Sequence, residues 1–151
     1  MAEYDSPAPQ AVRTNKAVPV TYFLLRVVAG LLFFQAGSLL VLGWFGGMPG
    51  KAGSTAPLMS QVGIGGLLEF FGGIAIMLGL FTRPVAFILS GEMAVAFWQF
   101  HAPKGLWPIV NHGEPAVLFC FIFLYMAAHG AGDWSLDALI RRKRGWEPAS
   151  D

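Results

Sequence analysis

Residues 66–93 read GLLEFFGGIAIMLGLFTRPVAFILSGEM, and the reading of this stretch decides the fold. Two apolar runs flank Thr82, Arg83 and Pro84: a polar residue, a charge and a ring that disfavours helix in the residue before it. The pattern predicts two apolar helices joined by a short turn that faces water. Each helix carries one glutamate inside, Glu69 in the first and Glu92 in the second. An acidic side chain in the middle of such a run costs about 2.5–3.5 kcal/mol on insertion scales, so by default it marks a function.

Composition decides whether these runs cross a membrane. The chain has 151 residues, 55% hydrophobic and only 13% charged, with a mean hydropathy of +0.57. Soluble domains carry roughly 25% charged residues. The charges also lie between the apolar runs, which leaves four nearly charge-free segments of about 17 to 25 residues, the length a bilayer core requires. The expected fold is all-α, a transmembrane four-helix bundle with a short amphipathic C-terminal helix. Its spans are expected at about 19–45, 62–81, 85–101 and 114–130. Cys120 is the lone cysteine, so neither an intrachain disulfide nor a CxxC pair can form, and redox chemistry must come from a cofactor or a partner.

Outside the spans the chain changes character. Residues 1–18 mix Pro, Ala and charges without an apolar core, which predicts a disordered cytoplasmic tail and not a signal peptide. Trp44 fits an interfacial anchor at the end of the first span. Pro115 sits where a first-turn proline opens a helix. Residues 131–151 are expected to form a cytoplasmic interfacial helix and tail: Ser135 caps it, Leu136, Leu139 and Ile140 share one face, and Arg141, Arg142, Lys143 and Arg144 follow. With the N-terminus inside, the cytoplasmic side holds Arg13, Lys16, Arg83 and the four basic residues of the tail, and the other side Lys51 and Lys104. The positive-inside rule then places both termini of a multi-pass inner-membrane protein in the cytoplasm.

Helical periodicity puts Gly65, Glu69, Gly72 and Gly73 on one side of the second span, which turns Glu69 toward another helix. Glu92 shares a side with Ala96 and Gln99, and Arg26 with Tyr22, Gly30 and Gly37. Counted from the span starts, Arg26 and Glu92 both lie roughly 10 Å from the cytoplasmic surface, so they are expected to form a structural ion pair. Glu69 lies higher, toward His101, Asn111, His112 and Glu114. The candidate proton, quinone or ligand site is therefore Glu69, Glu92, Arg26, His101, Asn111 and Glu114.

Each candidate has a plainer reading. Arg26 with Glu92 can simply fix helix packing, and Glu114 before Pro115 suits a helix N-terminus. Glu69 has no basic residue at its own depth, so it should take up a proton or hold a ligand. Asn111, His112 and Glu114 are a weak metal pattern. No metal site is predicted, and no haem, since His129 is expected on the opposite side from His101 and His112. No phosphate loop, nucleophile elbow or nucleic-acid patch is present.

The strings LLRVVAGLLFFQAGSLLVLGWFGG and LLEFFGGIAIMLGLFTRPVAFILSGEMAVAF, the HAPKGLWPIVNHGE loop and the closing GAGDWSLDAL together resemble the DoxX family of small four-helix bacterial membrane proteins. The resemblance spans residues 24–139 and implies an accessory subunit of a quinone- or quinol-linked redox system. It places characteristic polar positions on Arg26, Glu69, Arg83, Glu92, Lys104, Asn111 and Glu114. One position departs: relatives commonly carry a lysine shortly before the GWFGG turn, and this chain has Leu40. If that lysine binds an anionic head group or balances Glu69, its work falls to Lys51 or Lys104, or is absent.

The expected partners are the lipid bilayer and redox-enzyme subunits that supply flavin, haem or metal, with a homo-oligomer left open and no nucleic acid. Quinone is the cofactor to look for. The alternative is a membrane scaffold without chemistry, in which the charges set packing and the basic tail recruits a partner. A small transporter is disfavoured by the absence of an inverted repeat.

Overall fold

The computed structural model describes residues 16–48 and 50–145; the expected tail at 1–15 and the chain end at 146–151 lie outside the described residues. The described chain is all-helical. Helix α1 spans Ala17–Leu42, α2 Gln61–Leu78, α3 Thr82–Ala96, the one-turn α4 Pro108–Asn111, α5 Glu114–His129 and α6 Leu136–Lys143.

Local chemistry sets the boundaries. Gly43 and Gly79 end α1 and α2 in the left-handed conformation, where a residue without Cβ pays no steric penalty. Ser60 accepts the Gly63 backbone N–H at 3.1 Å to start α2, and Ser135 does the same for Ala138 at 3.1 Å to start α6, both as N-caps. The turn lies three residues earlier than expected from sequence: Gly79, Leu80 and Phe81 separate the helices, and Thr82, Arg83 and Pro84 form the first turn of α3. Proline is tolerated there because first-turn N–H groups have no intrahelical partner.

Three helices are long and apolar enough to cross a membrane: Ala17–Leu42, Gln61–Leu78, and α3 with its continuation to Lys104. That continuation widens to a π-turn at Phe97–His101 and tightens to 3₁₀ at Ala102–Lys104. Helix α5 has 16 residues, about 24 Å of rise against a core of about 30 Å, so the fourth element falls short of a full crossing by itself. Large apolar side chains such as Leu24, Val28, Leu31, Phe71, Phe87, Leu118, Phe121 and Leu124 point outward and exposed. A surface of this kind belongs in lipid.

The helices pair as α1 with α2 and α3 with α5, while α2 and α3 touch each other much less. Small residues bring α1 and α2 backbone to backbone. A Cβ on Gly37 would stand 2.2 Å from the Phe70 nitrogen, and one on Gly73 would stand 2.5 Å from the Phe34 nitrogen. Helices α3 and α5 are joined by the Ser90 hydroxyl, which donates to the Cys120 carbonyl at 2.8 Å. Phe33 closes the core edge-on to Phe119 and Phe123, with ring centroids 4.9 and 4.5 Å away. The loose α2–α3 seam leaves a groove, and that groove holds the two half-buried acids.

Candidate functional site

Helix α2 has two glycine stripes with different neighbours. Gly66 and Gly73 face α1, while Gly65 and Gly72 face α3, where Gly72 meets Leu89 and Gly65 meets Glu92. Glu69 lies one turn from both Gly65 and Gly72, so it belongs to the α3 side. There Glu69 and Glu92 line one cavity of about 690 Å³ with Gln61, His101, Leu40 and Phe100. Glu92 Oε1 sits over Gly65, 3.1 Å from where a Cβ would be. The Oε2 atoms of Glu69 and Glu92 are buried and have no hydrogen-bond partner among the described residues. Toward the α2–α3 turn the groove continues as a second cavity of about 540 Å³. It shares Ile64, Leu68 and Ile88 with the first and runs on past Leu67, Phe71 and Ala75. The seam is thus polar at one end, apolar along the rest, and open to the lipid side.

The expected ion pair does not form. Arg26 is 1% exposed, yet its Nη1 donates to the Ala131 carbonyl at 2.9 Å and its Nη2 to the Trp134 carbonyl, with the guanidinium 5.6 Å from the Phe23 ring centroid. It lies against Gly79, whereas Glu92 lies against Gly65. Fourteen residues of α2 separate those two glycines, roughly 21 Å at 1.5 Å per residue. The depth count failed because Ala17–Val20 stand exposed at the start of α1, ahead of the packed bundle. The Arg26 side chain also leans back toward its own N-terminus, as helical side chains do.

Arg26 serves the C-terminal segment instead. The Tyr22 hydroxyl donates to the Gly130 carbonyl, and the Ser135 hydroxyl donates to the Gly132 carbonyl at 2.7 Å. Asp137 returns to accept the backbone N–H groups of Phe81 and Thr82 at 2.8 and 2.9 Å. The stretch from Gly130 to Asp137 is therefore a strap locked across the ends of α1, α2 and α3. Arg83 stands at the C-terminus of α5, its Nη2 3.5 Å from the His129 carbonyl, where a cation suits the helix dipole.

The remaining candidates divide. His101 lines the acid cavity, and its Nδ1 lies 3.1 Å from the Asn111 carbonyl oxygen. Asn111 is buried, but both ends of its amide are spent on the loop: Nδ2 donates to the Gly105 carbonyl at 2.6 Å and Oδ1 accepts the Gly113 N–H at 2.7 Å. It builds the loop that holds His101. Glu114 opens α5 exposed, and His112 is exposed as well. Among the described residues no three His, Cys, Asp or Glu side chains come together as a metal site. Lys51 and Lys104 are exposed and do not line the cavity, whereas Leu40 does. Sequence reasoning left Gln61 out, and it proves to be a cavity wall that donates to Gln99. It also left out Asp137, whose capping partners lie 55 and 56 residues away. A start-of-helix glutamine and an aspartate in an amphipathic helix carry no local signal of such partners.

The DoxX family model matches residues 21–102, more than half of the chain and all of the acid-bearing seam. The chain belongs to the DoxX family. An uncharacterized protein of Haemophilus influenzae is 43% identical to this DoxX protein over 127 residues, which cover 81% of this chain and 93% of the relative. The inner membrane protein YqjF of Escherichia coli is 29% identical over 144 residues, 85% of this chain and 98% of the relative. No solved structure shows a significant match. Family membership and the outward apolar faces make this DoxX protein an integral membrane protein. The Gly130–Asp137 strap lies beyond the segment that the family model covers.

Proposed function

We propose that this DoxX protein is the membrane accessory subunit of a redox system and binds a quinone or quinol in the α2–α3 groove. One observation carries the reading: Glu69 and Glu92, each with a carboxylate oxygen that has no hydrogen-bond partner among the described residues, line the head of a lipid-facing groove that continues as an apolar channel. A ring with hydrogen-bonding oxygens fits the head and a hydrocarbon tail fits the channel. The volume lies within the range of sites for small organic ligands. Oxidation of a quinol releases two electrons and two protons. The electrons pass to the cofactor of a partner, and Glu69 and Glu92 take the protons, as positioned general bases do. The termini lie in the cytoplasm, where the basic tail faces anionic lipid or the partner.

The test is an inventory of the lipid extract of the purified protein, together with complementation by Glu69→Gln in cells lacking the native copy. Quinone should copurify in near-stoichiometric amount, and Glu69→Gln should fold but fail in proton-coupled turnover. The Arg26 and Asp137 strap favours a second reading, a scaffold in which charge serves architecture. Under that reading no quinone copurifies and Glu69→Gln behaves as wild type.

A further inference from the structure

Another groove lies at the opposite end of α2 from the acids, between α1, α2 and α6, with a volume of about 530 Å³. Arg26 and Arg142 line it with one acid, Asp133, whereas Arg141, Lys143 and Arg144 stay outside it. Phe23 and Val27, one turn apart on α1, Met77 on α2 and Leu139 on α6 give it apolar walls. Two guanidinium groups against one carboxylate leave one positive charge on the lining. Arg26 carries its charge in a poorly solvated place: it is 1% exposed, and its Nη atoms donate to neutral carbonyls. Asp137 spends both carboxylate oxygens on Phe81 and Thr82. A nearby anion offsets the cost of holding such a charge away from water.

We propose that this groove holds one anionic glycerophospholipid, with its phosphodiester on Arg142 and an acyl chain along Val27 and Met77 toward the bilayer centre. Arg142 is exposed, and its planar fork matches a phosphate. Arg26 has too little surface to touch the ligand, so it acts through its field from behind. A phosphodiester brings the single negative charge that the lining lacks. A zwitterionic lipid brings its own cation as well and leaves the lining uncompensated. The basic residues outside the groove attract anionic lipid diffusely, whereas the groove adds a discrete site that touches α1, α2 and α6 together. A lipid bound there fastens the strap and α6 to the bundle.

The test uses the full chain, delipidated in detergent, with bound lipid counted by native mass spectrometry. The probes are phosphatidylglycerol, phosphatidylcholine with the same acyl chains, and glycerol 3-phosphate. The first phosphatidylglycerol should bind about tenfold more tightly than phosphatidylcholine, and than the next phosphatidylglycerol. Glycerol 3-phosphate, which offers phosphate without chains, should not displace it. Arg142→Ala should remove the preference, and Arg144→Ala, outside the groove, should leave it. Equal affinity for the two lipids, a series of equal phosphatidylglycerol steps, or displacement by glycerol 3-phosphate overturns the inference. So does a preference undiminished in folded Arg142→Ala. An equal loss in Arg142→Ala and Arg144→Ala assigns the preference to diffuse attraction by the basic tail and overturns it too, as does a dimer that excludes lipid. The comparison among lipids uses the unaltered chain, so a misfolded variant cannot mask it.

Discussion

Asp137 caps Thr82: Oδ2 accepts the Thr82 backbone N–H at 2.9 Å, and Oδ1 accepts that of Phe81 at 2.8 Å. A carboxylate from α6 thus satisfies the first N–H groups of the helix that carries Glu92, at the end where a negative charge suits the dipole. Asp137→Ala should cost about 1 kcal/mol, the usual worth of a helix cap, and should free the strap. Unfolding in detergent followed by circular dichroism measures the first effect, and protease cleavage after Gly130 the second. Asp137→Asn keeps one acceptor and should fall between.

Arg26 and Glu92 should behave as independent residues. Arg26→Leu removes two charge-assisted bonds to the strap, each worth about 1.5–3 kcal/mol. Glu92→Leu removes a carboxylate from the cavity and touches none of those groups. A double-mutant cycle on folded yield or unfolding free energy should return a coupling below about 0.5 kcal/mol. A coupling well above 1 kcal/mol would restore the ion pair.

Two glycine substitutions on the same bundle should have opposite outcomes. Gly37→Ala drives a Cβ to within 2.2 Å of the backbone of α2, so α1 and α2 must separate at a cost of about 1–3 kcal/mol. Gly65→Ala meets only the Glu92 carboxylate end, 3.1 Å away, which can swing aside. The thermal midpoint should fall for the first and hold for the second. In return, Gly65→Ala should change ligand binding in the groove.

Orientation is checked with reporter fusions. A reporter at the N-terminus or after Arg144 should read as cytoplasmic, and one after Lys51 or Lys104 as external, as the distribution of lysine and arginine demands. A cytoplasmic signal after Lys104 would mean that α3 and its continuation do not cross, and the groove would then lie on the membrane face.

Much of the fold was legible in the chain. The apolar runs, the Ser135 cap and the exposed loops around Lys51 and Lys104 all follow from residues within a few positions of one another, whereas the αL glycine that ends α2 was read as helix interior. The acid pair was half legible. Glycine spacing turned Glu69 toward a neighbour, and the polar company of Glu92 marked an interior face. Both acids and His101 were grouped from sequence together with Arg26, Asn111 and Glu114; that only the first three line one cavity was not legible, because it depends on how tightly α2 packs against α1 and how loosely against α3.

By itself the sequence determined an all-helical membrane chain, its family, its breaks and its buried acids, because hydropathy and capping act over a turn or two of helix. The tertiary structure alone decided which charge meets which group. Arg26 looked level with Glu92 by residue count, yet α1 starts ahead of the packed bundle and Arg26 leans back to hold carbonyls 105 and 108 residues away. Depth and register come from close backbone approach, such as Gly73 against Phe34, and from the direction each side chain takes off its helix. Neither is encoded within a few residues of the group it places.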